Sequence, residues 1–390
     1  MKKLLSILLV VAMLFGISSI AFAAKDDDTK TLHFNADGKF KIMMVNDYQD
    51  VQNTQKKSAE FLAKALDTEK PDLVVLVGDQ LCDIFPFANA DKIRKSIDNI
   101  IAPLKERDIP FLMTMGNHDH DRTNVVSKDD QMAIYHSYSN CYAALDGYDG
   151  ATYNQVIYGS DKATPIFSVY MMDTNNKDEN GGYCGVNSAQ VEWYKNKSDE
   201  LKELNGGNIL PSITFQHIPV KEIYSLLNVV EYGENDDAIY STVGRNWYAL
   251  DPNKMISDTY HLGEAPCSED LTKTTGQYEA WLEKGDMTLG AYFAHDHLNN
   301  FVGKTDDGII LGYNAGTGFK SYGDGGNRSV RVFVFDENDV ENYDTYSVRY
   351  NDLFTPISFY YTDLFSPALI TPLMKAIYAV LGNIIKLIKQ

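Results

Sequence analysis

Thr114-Met115-Gly116-Asn117-His118-Asp119-His120 follows the apolar run at residues 109–113 as a loop follows a buried strand. Asn offers a neutral carbonyl oxygen, the neighbouring His an imidazole that can carry a proton, and Gly lets the backbone turn tightly beneath both. Gly-Asn-His-Asp in that position reads as a metal site. A histidine after a strand is also an ordinary loop residue, so the rest of the chain has to decide between the two.

Three units lead up to the tetrad. Residues 40–46 make an apolar strand that delivers Asp47 at its end. Residues 54–67 have helical periodicity, with Ala59, Leu62, Ala63 and Leu66 on one face and Thr54 as the expected N-cap. Residues 72–77 are continuously apolar, as expected of a strand covered on both faces, and they end at Gly78-Asp79. An amphipathic helix over 90–107 then precedes the strand at 109–113. Repeated strand, loop and helix units argue for an α/β sheet, and such sheets bind ligands at the carboxyl ends of their strands. Asp47, Asp79 and Asn117-His118 are therefore expected to converge.

Downstream, residues 121–164 read as elaborated loops with short strands, and 166–172 as a strand ending at Asp173-Thr174. A helix is expected over 188–204. The strand at 213–217 ends in His217. Residues 228–278, rich in Asp, Asn and Gly, read as an inserted surface loop on the rim of a pocket. The run at 289–294 delivers His295 and His297. In an extended Ala294-His295-Asp296-His297 segment alternate side chains point the same way, so both imidazoles would face one site. No repeat and no linker interrupts 35–350.

Composition narrows the classes of function. At 390 residues, 44% of them hydrophobic, the chain can bury a large core. Lys2 and Lys3, an apolar run over 4–20 and Ala21-Phe22-Ala23 have the order of a secretory leader spanning 1–23, which predicts a secreted or extracytoplasmic protein. The formal charge of -19 makes nucleic acid an unlikely partner, since phosphate backbones would repel the chain and no basic stripe offsets this. A small phosphate ester remains accessible, because bound cations reverse the local field. Cys82, Cys141, Cys184 and Cys267 are too irregularly spaced for a zinc knuckle and favour no disulfide pairing.

Collected, Asp47, Asp79, Asn117, His118, His217, His295 and His297 all stand at expected strand ends. Two carboxylates, one amide and three imidazoles suit two adjacent metals, with His118 left over. Oxygen and nitrogen donors without thiolate favour manganese, iron or zinc, and the imidazole count argues against calcium or magnesium alone. One carboxylate must bridge the pair, and Asp79, taken to lie on the central strand, is the natural choice.

The series Asp47, Gly78-Asp79, Gly116-Asn117-His118-Asp119, His217 and His295-Asp296-His297 resembles the ordered blocks of the calcineurin-like metallophosphoesterase superfamily. The text Phe215-Gln216-His217-Ile218-Pro219, with Gly316-Thr317-Gly318 and Tyr322-Gly323, is similar to its purple-acid-phosphatase-like branch. The resemblance implies a β-sandwich flanked by helices, in α/β/β/α layers, and hydrolysis of phosphate esters by a metal-bridging hydroxide at a dinuclear centre. It implies Asp47, Asp79 and His297 as ligands of one divalent or trivalent ion, and Asp79, Asn117, His217 and His295 as ligands of the other. It leaves His118 as the catalytic residue, stabilising phosphoryl charge or protonating the leaving alkoxide. Asp83 could orient it, although a solvated loop carboxylate is the plainer reading.

Two positions depart from the pattern. Most of the superfamily has His two residues after the first Asp, and here it is Gln49; purple acid phosphatases have Tyr where this chain has Cys82. No tyrosinate colour is therefore expected. An amide binds metal more weakly than imidazole, which keeps open a scaffold that binds phosphate esters without hydrolysing them. A surface adhesion or structural protein, the further alternative, would hold no metal.

A tail over 366–390 has no acidic residue, and Met374, Ile377, Tyr378, Leu381, Ile384, Ile385 and Ile388 recur at helical spacing. This pattern suits a helix docked on the protein's own core or a peripheral contact with an anionic membrane.

Overall fold

In a computed structural model of the chain the described residues are 30–50, 55–81, 89–119, 126–176, 183–241, 245–257, 259–267, 275–366 and 370–388. The expected leader, Thr54, Cys82 and Asp83 lie outside them. The chain divides into two compact units, Met1–Thr31 and Leu32–Gln390, and the second carries every element that follows.

In order these are β1 (Leu32–His33), β2 (Lys39–Val45), α1 (Lys56–Glu69), β3 (Leu73–Val77), α2 (Ala90–Lys105) and β4 (Phe111–Thr114). Then come α3 (Lys128–His136), β5 (Tyr153–Tyr158), β6 (Pro165–Met172), α4 (Ser188–Leu204) and β7 (Ser212–Gln216). β8 (Leu227–Val230), β9 (Ile239–Ser241), β10 (Asn246–Leu250), α5 (Gln277–Lys284) and β11 (Gly290–Phe293) follow. β12 (Phe301–Lys304), β13 (Ile310–Tyr313), β14 (Ser329–Asp336), β15 (Asp344–Arg349), α6 (Tyr350–Leu353) and α7 (Ile370–Ile388) complete the fold.

Two sheets form a sandwich, one of five strands in the order β15-β14-β2-β3-β4 and one of seven in the order β1-β5-β6-β7-β11-β13-β12. Side-chain alternation builds the layers. Ile42 and Met44 of β2 and Leu73, Val75 and Val77 of β3 meet Val169, Met171, Ile213, Phe215 and Tyr292 of the larger sheet in an inner core. Met43, Val45, Val74 and Leu76 point the other way, onto Phe61, Leu62, Ile97 and Ile101 of α1 and α2. On the far face of the larger sheet, Tyr170, Ala291, Phe293 and Leu311 pack with Tyr194 and Leu201 of α4 and Trp281 of α5. The unbroken apolar run of β3 thus has cover on both sides, and each fully buried aliphatic side chain contributes about 1.5–3 kcal/mol.

Several details differ from expectation. The central strand of the smaller sheet is β2, so Asp47 leaves the middle of the sheet and Asp79 leaves a strand one place from its edge. Residues 227–250 are not a plain loop: β8, β10 and β9 form an antiparallel sheet, in which Trp247 pairs with Val230 and Tyr240. Aromatic and β-branched residues make these strands, and the Asp, Asn and Gly between them mark turns. Within 121–164, α3 is a helix capped by Ser127, whose Oγ accepts from the Asp130 amide. α1 is capped by Gln55, whose side chain accepts from the Lys57 amide.

Packing does not stop at residue 350. Phe354, Ile357 and Tyr360 lie against the outer core beneath α1 and α2, and the Asp363 carboxylate pairs with the buried Arg328 guanidinium at 2.7 Å.

Candidate metal centre

β2, β3 and β4 run parallel in one sheet, as do β7 and β11 in the other. Each ends in a short loop carrying one of the polar residues picked out above. The carboxyl ends of the two sheets meet there: the His295 N–H donates to Asp47 Oδ2 at 3.1 Å, and the His217 ring reaches Val77 O at 3.1 Å. The loops are tight enough to need glycine. A Cβ on Gly78, whose φ is +71°, would come 2.7 Å from the Gly116 nitrogen; one on Gly116 would come 2.2 Å from Asp79 Oδ1.

Of the nine described non-glycine residues with positive φ, four are here: Asp47 (50°), Gln49 (46°), Asp79 (49°) and His295 (72°). Such conformations cost on the order of 1–3 kcal/mol each and persist where surrounding structure over-determines them. The His295 angle also revises the expected extended segment. The backbone bends there, with Asp296 N–H donating to Ala294 O, and both imidazoles reach the cluster by a turn rather than by strand alternation.

One donor atom from each of Asp79, His217 and His295 lies within 4.8 Å of the others. His217 Nε2 is 3.2 Å from Asp79 Oδ2, 3.3 Å from His295 Nδ1 and 3.9 Å from Asp47 Oδ1. His297 Nε2 stands 3.2 Å from Asp47 Oδ1. A carbonyl only accepts, so His217 Nδ1–H must donate to Val77 O, and His297 Nδ1–H to Tyr322 O at 2.9 Å. Each Nε2 lone pair is thereby turned toward a carboxylate, an arrangement that requires a proton or a cation between them.

The charges agree. Burial opposes ionisation of Asp79, but the imidazoles of His217, His118 and His295 hold its carboxyl well below the usual range. Asp47 is likewise lowered, burial being outweighed by His297 and His217. Burial also works against a charged His217 and His297, yet Asp79 pushes the first up to about 10 and Asp47 the second to about 9. His295, partly accessible, is lowered by burial and by its His217 neighbour. The two buried carboxylates thus draw positive charge onto the groups that face them.

Asn117 is fully buried, and among the described residues neither its Oδ1 nor its Nδ2 has a hydrogen-bond partner. An orphaned buried amide costs about 1–3 kcal/mol, which an ion at its oxygen would offset. The donor set of carboxylate, amide and imidazole therefore fits a borderline metal. His118 is half-buried, and its backbone N–H donates to Asp79 Oδ1 at 2.7 Å.

Other participants were not among the expected ligands. Asp119 accepts from the amides of Asp79 (2.8 Å), Gly116 (2.7 Å) and Leu81 (2.9 Å), tying two loops together. Burial and the Asp79 charge push its carboxyl up to about 7. Gln49 Nε2 donates to Asp79 Oδ2 at 3.1 Å. Tyr322 stacks on His297 with centroids 4.2 Å apart, and its hydroxyl donates to Glu264, a buried carboxylate pushed up to about 7 by desolvation. Tyr183 sets its ring edge-on to His295 at 4.6 Å. Asp119 had a signal as the last member of the tetrad, Gln49 as a departure from the family pattern and Tyr322 within Tyr322-Gly323, whereas Glu264 and Tyr183 had none.

The family described as calcineurin-like phosphoesterase matches residues 40–299, a span that holds every member of the cluster. The chain belongs to the calcineurin-like phosphoesterase family. Relatives of this phosphoesterase-family chain include Probable inactive purple acid phosphatase 14 of Arabidopsis thaliana, 27% identical over 84% of this chain and 82% of the relative. Probable inactive purple acid phosphatase 29 of the same plant is 26% identical, over 79% of this chain and 80% of its own. The crystal structure of a dimetal phosphatase from Danio rerio aligns over 80% of this chain and 99% of its own, with 13% identity and a TM-score of 0.45.

Proposed function

We propose that this chain is an exported, metal-dependent phosphoesterase that hydrolyses small phosphate esters at a dinuclear centre. In this reading Asp79, Asn117, His217 and His295 hold one ion, Asp47, Asp79 and His297 hold the other, and Asp79 bridges. Manganese, iron or zinc would match the donors. When bound, such ions make water nucleophilic at neutral pH and neutralise phosphoryl charge. The chain's own groups do the rest: the carbonyls of Val77 and Tyr322 orient His217 and His297, Asp119 fixes the loops, and His118 protonates the leaving alkoxide or stabilises charge on the phosphoryl oxygens.

The observation that carries this reading is the pair of Nε2 lone pairs aimed at buried carboxylates, beside an Asn117 amide with no partner among the described residues. Export rests on the leader pattern at 1–23.

A second reading, phosphate-ester binding without turnover, is favoured by the Gln49 amide that occupies Asp79 Oδ2, and the relatives' names call those proteins inactive. Assay of a chromogenic monoester and a diester with added manganese, iron or zinc separates the two. Hydrolysis that is lost in both Asp79→Asn and His118→Ala supports catalysis. Metal and phosphate binding without turnover supports the second reading, and absence of bound metal overturns both.

A further inference from the structure

Among the described side chains, α7 is held to the body through one face. The Tyr378 ring lies 5.6 Å from that of Tyr232, 5.7 Å from Tyr240 and 5.8 Å from Trp247, and Met374 joins Trp247 and Ala249 of the three-stranded sheet. The Tyr232 hydroxyl donates to Lys375 O, and Lys375 Nζ to Asp236 O, each at 2.8 Å. The apolar set expected to share one role is thus divided between two faces.

On the other face Leu373, Ile377, Val380 and Leu381 expose 60, 40, 59 and 49% of their surface. Their spacing is that of a single helical stripe, and Ile384 and Ile388 continue it in sequence. Leu364 and Phe365, just before the helix, are exposed as well. Contiguous exposed apolar residues of this kind mark an interaction surface.

Charge indicates the partner. Beyond Lys375, whose ammonium is held by the body, the chain adds Lys386 and Lys389 and has no acidic residue after Asp363, whereas the whole protein carries -19. We propose that α7 lies flat on an anionic lipid bilayer, with the Leu373, Ile377, Val380 and Leu381 stripe in the headgroup boundary and the Tyr378 face on the protein. The helix of a second copy would bring the same lysines and no carboxylate to pair with them, while anionic headgroups complement them. Among the described residues no helix is long and apolar enough to cross a membrane, and Lys375 and Lys386 interrupt this one.

The test is co-sedimentation of the leader-free chain with vesicles of phosphatidylglycerol and phosphatidylcholine in equal parts, against phosphatidylcholine alone. Binding is expected to favour the anionic vesicles and to fall at least about tenfold in the double variant Ile377→Asp, Leu381→Asp. Those side chains lie off the docked face, and an unchanged circular dichroism spectrum shows that the variant folds. No binding to anionic vesicles, equal binding by the variant, or a wild-type dimer that the variant converts to monomer would each overturn the proposal.

Discussion

The side-chain amide of Gln49 donates to Asp79 Oδ2 at 3.1 Å, the oxygen that also faces His217 Nε2 at 3.2 Å. Gln49 therefore acts on the Asp79 carboxylate as a donor and presents no lone pair at that contact. The Asp47 and His297 side is left with fewer donors than the Asn117, His217 and His295 side. Protein dialysed against graded chelator is expected to keep one ion while it loses the other. Gln49→His should tighten the weaker site by about tenfold or more, the scale on which groups around a metal act. Metal content by elemental analysis checks this, and equal retention of both ions by the wild type would contradict it.

Asp119 Oδ2 accepts two amide hydrogens, from Asp79 and Gly116. In Asp119→Asn, an amide nitrogen placed at either position of the former carboxylate faces a backbone donor. Leaving a buried donor unsatisfied costs about 1–3 kcal/mol, and the urea midpoint should fall accordingly with an unchanged slope. A midpoint equal to that of the wild type would mean that the loops hold together without this carboxylate.

The strands that carry the centre could be read from sequence because two physical patterns coincide in them. An apolar run such as 73–77 needs two covering layers, and a polar residue just after it sits at the sheet's ligand-binding edge. The rest left weaker traces. β8, β9 and β10 are short, and turn residues mask the pairing of Trp247 with Tyr240. α3 is nine residues long, too brief to establish a helical period. His295 has the alternation of a strand in sequence, yet its φ of +72° comes from the turn that aims it. Glu264 is distant in the chain and becomes relevant only once Tyr322, stacked on His297, brings its hydroxyl to it.

Arg328, fully enclosed, pairs with Asp363 at 2.7 Å and donates to the carbonyls of Gly318 and Gly325. Removing one member of a buried pair leaves the other uncompensated. Asp363→Ala is expected to destabilise the fold by about 3–5 kcal/mol, measured by urea unfolding. A loss below about 1 kcal/mol, the range of exposed pairs, would show that residues after 350 are not integral to the folded unit.

Tyr322 holds His297 in two ways, by its backbone carbonyl on Nδ1 and by its ring stacked 6° from parallel. Tyr322→Ala keeps the carbonyl and removes the ring, so the imidazole regains freedom about its own bonds. It also removes the hydroxyl that donates to Glu264 and leaves that carboxylate less satisfied. Affinity for the ion at Asp47 and His297 should fall by about 10–100-fold, while the ion at Asn117, His217 and His295 stays bound. Tyr322→Phe retains the stack and should lose far less. Titration calorimetry with manganese on both variants distinguishes ring from hydroxyl, and equal losses would assign the effect to the Glu264 contact instead.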